Sequence, residues 1–243
     1  MNRETTYTVE LRDLSLGYDS VLLKNVSAMF NQGVTGIIGN NGKGKSTLLK
    51  AMCGLLSPRT GKVIFNGKEI SAMSNVERAK AVSFNPSSNS LSFPMTVHEL
   101  VSMGRYPYVN QWAGLSAADE GIVARSLELC AMRPFRDKKV NTLSDGERQK
   151  VFIAKQIAQE TPVMLLDEPT AFLDYSSKKY FFNLMKNVAA ERHKIVLISS
   201  HDIDFLTAYT DHLLMIEDDE TVVFGTTADI TSSHYFKTHF TRS

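Results

Sequence analysis

The chain has 243 residues, 43% of them apolar, enough to bury a full core as one large domain or as a core with an inserted subdomain. Its 27 basic and 26 acidic side chains leave a formal charge of +1, which excludes a global attraction to nucleic acid or to an acidic membrane surface. Cys53 and Cys130 lie outside any C-x-x-C spacing and read as small buried hydrophobes rather than a zinc site or disulfide framework, and no apolar run reaches the length needed to span a bilayer.

In chain order, residues 9–14 alternate as a strand, and Leu16-Gly17-Tyr18-Asp19 reads as a turn that exposes one aromatic. Residues 26–30 and 34–38 supply two more strands. The second runs into Gly39-Asn40-Asn41-Gly42-Lys43-Gly44-Lys45-Ser46-Thr47, and residues 48–52 read as the first turns of a helix. A turn over residues 57–61, a strand over 63–65 and the hairpin signal Asn66-Gly67 predict an antiparallel layer beside the core. Residues 86–93 change to a polar loop composition. Residues 96–132 are mainly helical, with Ser116 and Asp119 as a capping box ahead of Ile122, Val123, Leu127 and Leu129. The expected organisation is one domain over 1–243: an α/β core from 1–86 and 144–243, interrupted by a helical subdomain over 87–143. In the second half, the uninterrupted apolar runs 163–166 and 195–198 suit strands buried on both faces of a parallel sheet. Tyr180, Leu184 and Val188, with Phe181 and Met185, form a helical stripe between them, and residues 212–216 and 221–224 close as a hairpin around Glu217-Asp218-Asp219-Glu220. No internal repeat and no long disordered tail is evident.

The glycine-rich stretch matches G-x-x-x-x-G-K-[ST] between a strand and a helix, the context that makes a phosphate site. Its glycines let backbone N–H groups converge on phosphate oxygens, and the helix N-terminus adds a favourable field. Lys45 then reaches the β- and γ-phosphates, and the Ser46 hydroxyl ligates Mg²⁺. Downstream, Asp167 and Glu168 follow a buried strand, at the sheet edge where open α/β sheets bind ligands. Asp167 is placed to hold Mg²⁺ and Glu168 to polarise a water that attacks the γ-phosphate; a solvated acidic strand end is the plain alternative. Ser144 and Glu147 satisfy a capping box by themselves, although a helix N-terminus carrying Ser144 and Gly146 is also an anion site. His201 ends a second core strand, where an imidazole is either structural or placed to hydrogen-bond the γ-phosphate.

Together these residues resemble the nucleotide-binding subunits of ABC transporters. The glycine loop resembles Walker A, LSDGE from Leu143 to Glu147 the signature, and MLLDEPT from Met164 to Thr170 Walker B. Ala171-Phe172-Leu173-Asp174 resembles the D-loop, His201 the switch histidine and Tyr18 the aromatic that stacks on adenine. The resemblance implies a P-loop NTPase (RecA-like) core with an N-terminal antiparallel layer and an inserted helical subdomain. It also implies two subunits closing head to tail over ATP and Mg²⁺. Ser144 and Gly146 of one then face the other's γ-phosphate, and Asp174 bridges the interface. Glu168 is the expected base, and no departure from the pattern removes a catalytic group, so ATP hydrolysis is expected.

Several positions depart from the family pattern. Ser87 stands where a glutamine usually contacts Mg²⁺ and relays the membrane subunit's state, leaving Asn85 or Asn89 as nearby substitutes. Asp145 replaces a signature glycine and is expected to point away from the phosphates, Glu147 replaces the signature glutamine, and Lys43 occupies a position that is usually small. Met103-Gly104-Arg105-Tyr106-Pro107-Tyr108 resembles the subfamily that energises uptake of iron-siderophore, haem and cobalamin complexes, with a helix ended by Gly and Pro and an ordinary surface loop as the plain alternative. The resemblance therefore implies a bacterial importer subunit on the cytoplasmic face of the inner membrane. It would act as a homodimer beneath polytopic permease subunits, with a substrate-binding protein as an indirect partner and no nucleic acid. The alternatives are a soluble ABC-type ATPase acting on nucleic acid or ribosomes, and an ATP-switched binding module of low turnover.

Overall fold

The computed structural model describes residues 6–87, 94–109 and 114–240. The first part of the chain contains β1 (Val9–Gly17), β2 (Val21–Phe30), β3 (Gly33–Ile38), α1 (Lys45–Met52), β4 (Thr60–Phe65), β5 (Lys68–Glu69), α2 (Asn75–Ala81) and β6 (Val82–Asn85). Next come α3 (Val97–Ser102), α4 (Ala117–Leu129) and α5 (Asp145–Ala158). The remainder contains β7 (Val163–Asp167), α6 (Tyr175–Glu191), β8 (Ile195–Ser199), α7 (Ile203–Tyr209), β9 (His212–Ile216), β10 (Val222–Thr226), α8 (Thr227–Ser232) and α9 (His234–His239).

Two sheets result. The antiparallel one runs β2-β1-β4-β5, and the larger one runs β10-β9-β3-β8-β7-β6, with β3, β6, β7, β8 and β9 parallel and β10 antiparallel at one edge. Every residue of β7 and β8 is buried, as uninterrupted apolar runs in the middle of a covered parallel sheet require. One apolar cluster fills the space between the two sheets and α1, joining Leu11, Leu14 and Phe30 to Leu48, Leu165 and Leu197. The opposite face of the large sheet packs on α5 and α6 through Val151, Ile157, Phe182 and Met185, in a second cluster that continues into α3 and α4.

The helical region hangs on α5. Gly104 sits so close to α5 that a Cβ there would meet the Lys155 carbonyl oxygen at 2.4 Å. Next to it the buried Arg105 guanidinium donates to Asp119 (2.9 Å), the Ala158 carbonyl (2.7 Å) and Glu160 (3.1 Å), and lies over the Tyr108 ring. Tyr108 in turn donates to the Gln159 carbonyl at 2.9 Å, while Tyr106 stays exposed.

The structure differs from the sequence expectations in several places. β2 begins at Val21 rather than Val26, because its first residues pair with the end of β1 across the Tyr18 turn. α2 and β6 are additional elements; a complete Ser74–Glu77 capping box opens the helix, and β6 is short and takes its character from its partner β7. Tyr180 leaves the buried stripe of α6: its ring is exposed and its hydroxyl donates to the Leu129 carbonyl at 2.8 Å, while Phe182 takes the buried place. Cys130 is buried, but Cys53 is only partly so, its Sγ donating to the Lys50 carbonyl; burial pushes the two thiols up to about 12 and about 11. Of the predicted polar loop, Asn89 lies outside the described residues.

Candidate active site

The site forms where β3, β7 and β8 end side by side. β3 delivers the chain into the glycine loop, whose Gly42 and Gly44 have φ of 78° and 99°, left-handed values that side-chain-bearing residues avoid. α1 begins at Lys45 with Gly44 as its N-cap and no side-chain cap, so its first-turn N–H groups keep their capacity for an anion. The Lys45 ammonium is buried and donates to the carbonyls of Gly39 (2.7 Å) and Asn40 (3.3 Å). Burial lowers its pKa, and the nearby carboxylates of Glu168 and Asp167 oppose that shift. Ser46 is partly buried and Thr47 buried in the same turn, while Asn40 and Asn41 are exposed on the loop.

Asp167 is the last residue of β7 and pairs in register with Ser199 of β8, whose hydroxyl donates to the Asp167 carboxylate at 2.7 Å. Glu168 follows with φ of 50°, a left-handed turn that takes the chain off the strand. Its N–H donates to the carbonyl and hydroxyl oxygens of Ser199, each at 3.1 Å. One Glu168 carboxylate oxygen accepts the His201 backbone N–H at 3.2 Å, and the other lies 3.1 Å from His201 Nε2. Burial raises the Glu168 carboxyl above the ordinary glutamate range, with His201 and Lys45 pulling the other way. His201 itself stays half exposed. Four predicted residues, Lys45, Asp167, Glu168 and His201, therefore belong to one electrostatic cluster.

Two residues that the sequence reading passed over, Ser199 and Asp202, hold this cluster. Ser199 carries hydrogen bonds to both Asp167 and Glu168. Asp202 accepts from Thr170 (2.8 Å) and from the Lys178 ammonium (2.7 Å), fixing the segment that carries His201. The signal available was the run Ser199-Ser200-His201-Asp202, polar immediately after a fully buried strand.

The other predicted residues stand elsewhere. Ser144 forms a complete capping box with Glu147 at the start of α5, and these hydrogen bonds hold the Glu147 carboxyl below its ordinary range. Asp145 turns to Arg148 on its own helix at 3.2 Å. A Cβ at Gly146 would lie 3.2 Å from the Phe172 carbonyl, so the start of α5 abuts the Ala171–Asp174 turn. Asp174 caps α6 by accepting the Ser177 N–H at 2.7 Å. Tyr18 is exposed at the β1–β2 turn, its carbonyl accepting from Arg59. Among the described residues no hydrogen bond or ion pair joins Ser144, Gly146 or Asp174 to the glycine loop of the same chain. Nor does any group of three or more His, Cys, Asp or Glu gather as a metal site. Ser46 and Asp167 nonetheless offer the one or two hard oxygen donors that Mg²⁺ takes from a protein when phosphates and water complete its shell.

The family described as ABC transporter matches residues 23–171, a stretch that includes the glycine loop, the start of α5 and Asp167-Glu168. This chain belongs to the ABC transporter family. It is the ATP-binding domain of a transporter ATPase. Within the family it is 36% identical to the achromobactin transport ATP-binding protein CbrD of Dickeya dadantii (strain 3937), over 94% of this chain and 86% of that protein. It is 31% identical to the iron(3+)-hydroxamate import ATP-binding protein FhuC of Bacillus subtilis (strain 168), over 96% and 87%. A solved ATP-binding subunit of an ABC transporter superposes with a TM-score of 0.81 over 92% of both chains at 27% identity. No helix among the described residues is long and apolar enough to cross a membrane.

Proposed function

We propose that this ABC ATPase powers import of an iron-siderophore, haem or cobalamin complex through polytopic permease subunits, as a homodimer at the cytoplasmic face of a bacterial inner membrane. The carrying observation is the convergence of Lys45, Asp167, Glu168 and His201 at the ends of three adjacent parallel strands. The siderophore and hydroxamate transport relatives support the cargo class, and the Met103–Tyr108 segment supports the same subfamily.

In this reading the backbone N–H groups of residues 39–47 and the Lys45 ammonium bind the β- and γ-phosphates, while Tyr18 stacks on the adenine. Ser46 and Asp167 would hold Mg²⁺, which would supply neutralising charge for the phosphates. Glu168 orients a water for attack on the γ-phosphorus and takes its proton as the new P–O bond forms. The bond to the bridging oxygen breaks, and that electron pair leaves with ADP. A carboxyl raised by burial is a stronger base than an ordinary glutamate. His201, now against Glu168, also has the γ-phosphate within its role as hydrogen-bond donor. Ser144, Gly146 and Asp174, which make no polar contact with their own glycine loop, serve the site of a second copy. The helical region over 87–143 is the docking side for the permease.

Two measurements test this. Steady-state phosphate release should be lost in Lys45→Ala. Affinity purification of the chain from native membranes in mild detergent should recover a polytopic protein; recovery of ribosomes or soluble proteins alone would overturn the importer reading.

A further inference from the structure

The turn between β9 and β10 reaches across to the glycine loop. Asp218, in that turn, accepts a hydrogen bond from the Asn40 side-chain amide at 3.1 Å. The Lys43 ammonium donates to the Asp218 backbone carbonyl at 3.0 Å and lies 3.3 Å from its carboxylate. One residue of the turn thus grips the loop at two points, on either side of Asn41 and Gly42. Behind it, the Asp218 N–H donates to the Tyr235 hydroxyl of α9 at 2.9 Å, and the Tyr235 ring stacks on His239 at 4.0 Å between centroids. The turn is itself braced: Glu217 N–H donates to the Thr221 carbonyl at 2.9 Å, and Lys24 of β2 pairs with Glu220 at 2.6 Å.

We propose that Asp218 is a positioning residue for ATP binding, clamping Asn40 and Lys43 so that the glycine loop is held open for phosphate, with α9 setting the clamp through Tyr235. The physical reason lies in the loop. Gly42 is exposed, carries no side chain and sits in a left-handed conformation, and apart from its chain neighbours no atom lies within 4 Å of the position its Cβ would take. Such a segment gains little from its own packing, and ordering it on ligand binding costs conformational entropy. A clamp that orders it beforehand lowers that cost, which appears as affinity. Asn40 and Lys43 also hold the Asp218 carboxyl below the ordinary aspartate range, as an ionised partner of both requires. Lys43, at a position where the family usually has a small residue, gains a use here that needs no contact with nucleotide. Asp218 touches no reacting atom, and its effect passes through the loop.

The inference rests on the assignment of residues 39–47 as the phosphate site, so the experiment separates the two. With the full-length protein, KM and kcat for MgATP are measured for Asp218→Ala, Asp218→Asn, Tyr235→Phe, Lys45→Ala and the pair Asn40→Ala/Lys43→Met with and without Asp218→Ala. Asp218→Ala should raise KM about three- to fivefold, the size expected from losing one or two exposed polar contacts, and change kcat less. Tyr235→Phe should shift KM the same way, and Asp218→Asn, which still accepts from Asn40, should fall between. In the Asn40→Ala/Lys43→Met background Asp218→Ala should add nothing. An unchanged KM in Asp218→Ala, or an equal rise in both backgrounds, overturns the clamp. So does a loss confined to kcat with a lowered Tm, the mark of a merely structural residue. If Lys45→Ala kept its ATP affinity, the phosphate-site assignment itself would fall; if it lost affinity while Asp218→Ala did not, only the clamp would.

Discussion

Replacing Glu168 by Gln isolates the charge of the candidate base from its shape. The amide keeps the length of the side chain and an oxygen that accepts the His201 N–H now 3.2 Å from the carboxylate. The left-handed φ of 50° at this position is no worse for Gln than for Glu. What is lost is a negative charge that burial already disfavours and that His201 and Lys45 support. Those effects oppose one another, so stability should change by about 1 kcal/mol or less. Turnover should behave differently: removing a general base typically costs about 10²–10⁴-fold, or about 3–5 kcal/mol of activation free energy. The assay is phosphate release at saturating MgATP beside equilibrium ATP binding and size-exclusion chromatography with ATP. Affinity should be kept within a few-fold, and the variant should accumulate as an ATP-bound dimer. The wild-type rate should fall as pH drops through the raised Glu168 pKa, since the base must be ionised, and Gln should remove that acid limb. Turnover within threefold of wild type would refute the assignment, as would a native Tm with ATP binding gone, which would place Glu168 in binding rather than chemistry.

Burial drives the Lys194 ammonium down from 10.5 to about 8, and its Nζ donates to the Thr161 carbonyl. Between those pH values the unfolded chain binds the extra proton, so this lysine makes stability rise with pH, by up to about 3 kcal/mol at about 1.4 kcal/mol for each pH unit. Below about 8 the whole penalty stands. Urea denaturation at pH 7.5 and 10 should therefore show a steeper gain for wild type than for Lys194→Met; parallel curves would remove the burial argument. Gly104→Ala forces a Cβ to within 2.4 Å of the Lys155 carbonyl and should cost about 1–3 kcal/mol in denaturation while ATP affinity stays, because the clash is backbone and remote from the glycine loop. Tyr18→Ala should raise KM for ATP about fivefold or more through lost stacking, with Tyr18→Trp close to wild type; an unchanged KM in Tyr18→Ala would remove the adenine role.

What was legible in the sequence was whatever is decided locally. Gly42 and Gly44 answer a backbone demand at their own positions, residues 163–166 and 195–198 advertise burial on both faces, and Ser116–Asp119 and Ser144–Glu147 close capping boxes within one helical turn. An α/β core follows from these, while the P-loop NTPase class and the roles of Lys45, Asp167, Glu168 and His201 rest also on the resemblance of the motifs around them. What escaped depends on distant partners. β6 is a strand because β7 lies beside it, Ser199 matters because the parallel register sets it opposite Asp167, and Asp218 meets Asn40 only after most of the chain has been threaded. Tyr180 failed for a related reason: periodicity places a residue on a helix face, but its hydroxyl found the Leu129 carbonyl at the rim and drew the ring outward.

The helix α5 has its two ends occupied by different business. At one, Ser144 is locked into the helix by Glu147; at the other, Arg105 ties the Tyr106–Tyr108 tip to the carbonyl of Ala158. The 14 residues between them span about 21 Å as a stiff rod whose buried face is packed along its length. The anchor of the tyrosine tip and the Ser144 cap therefore belong to one continuous packed helix, with no loop between them.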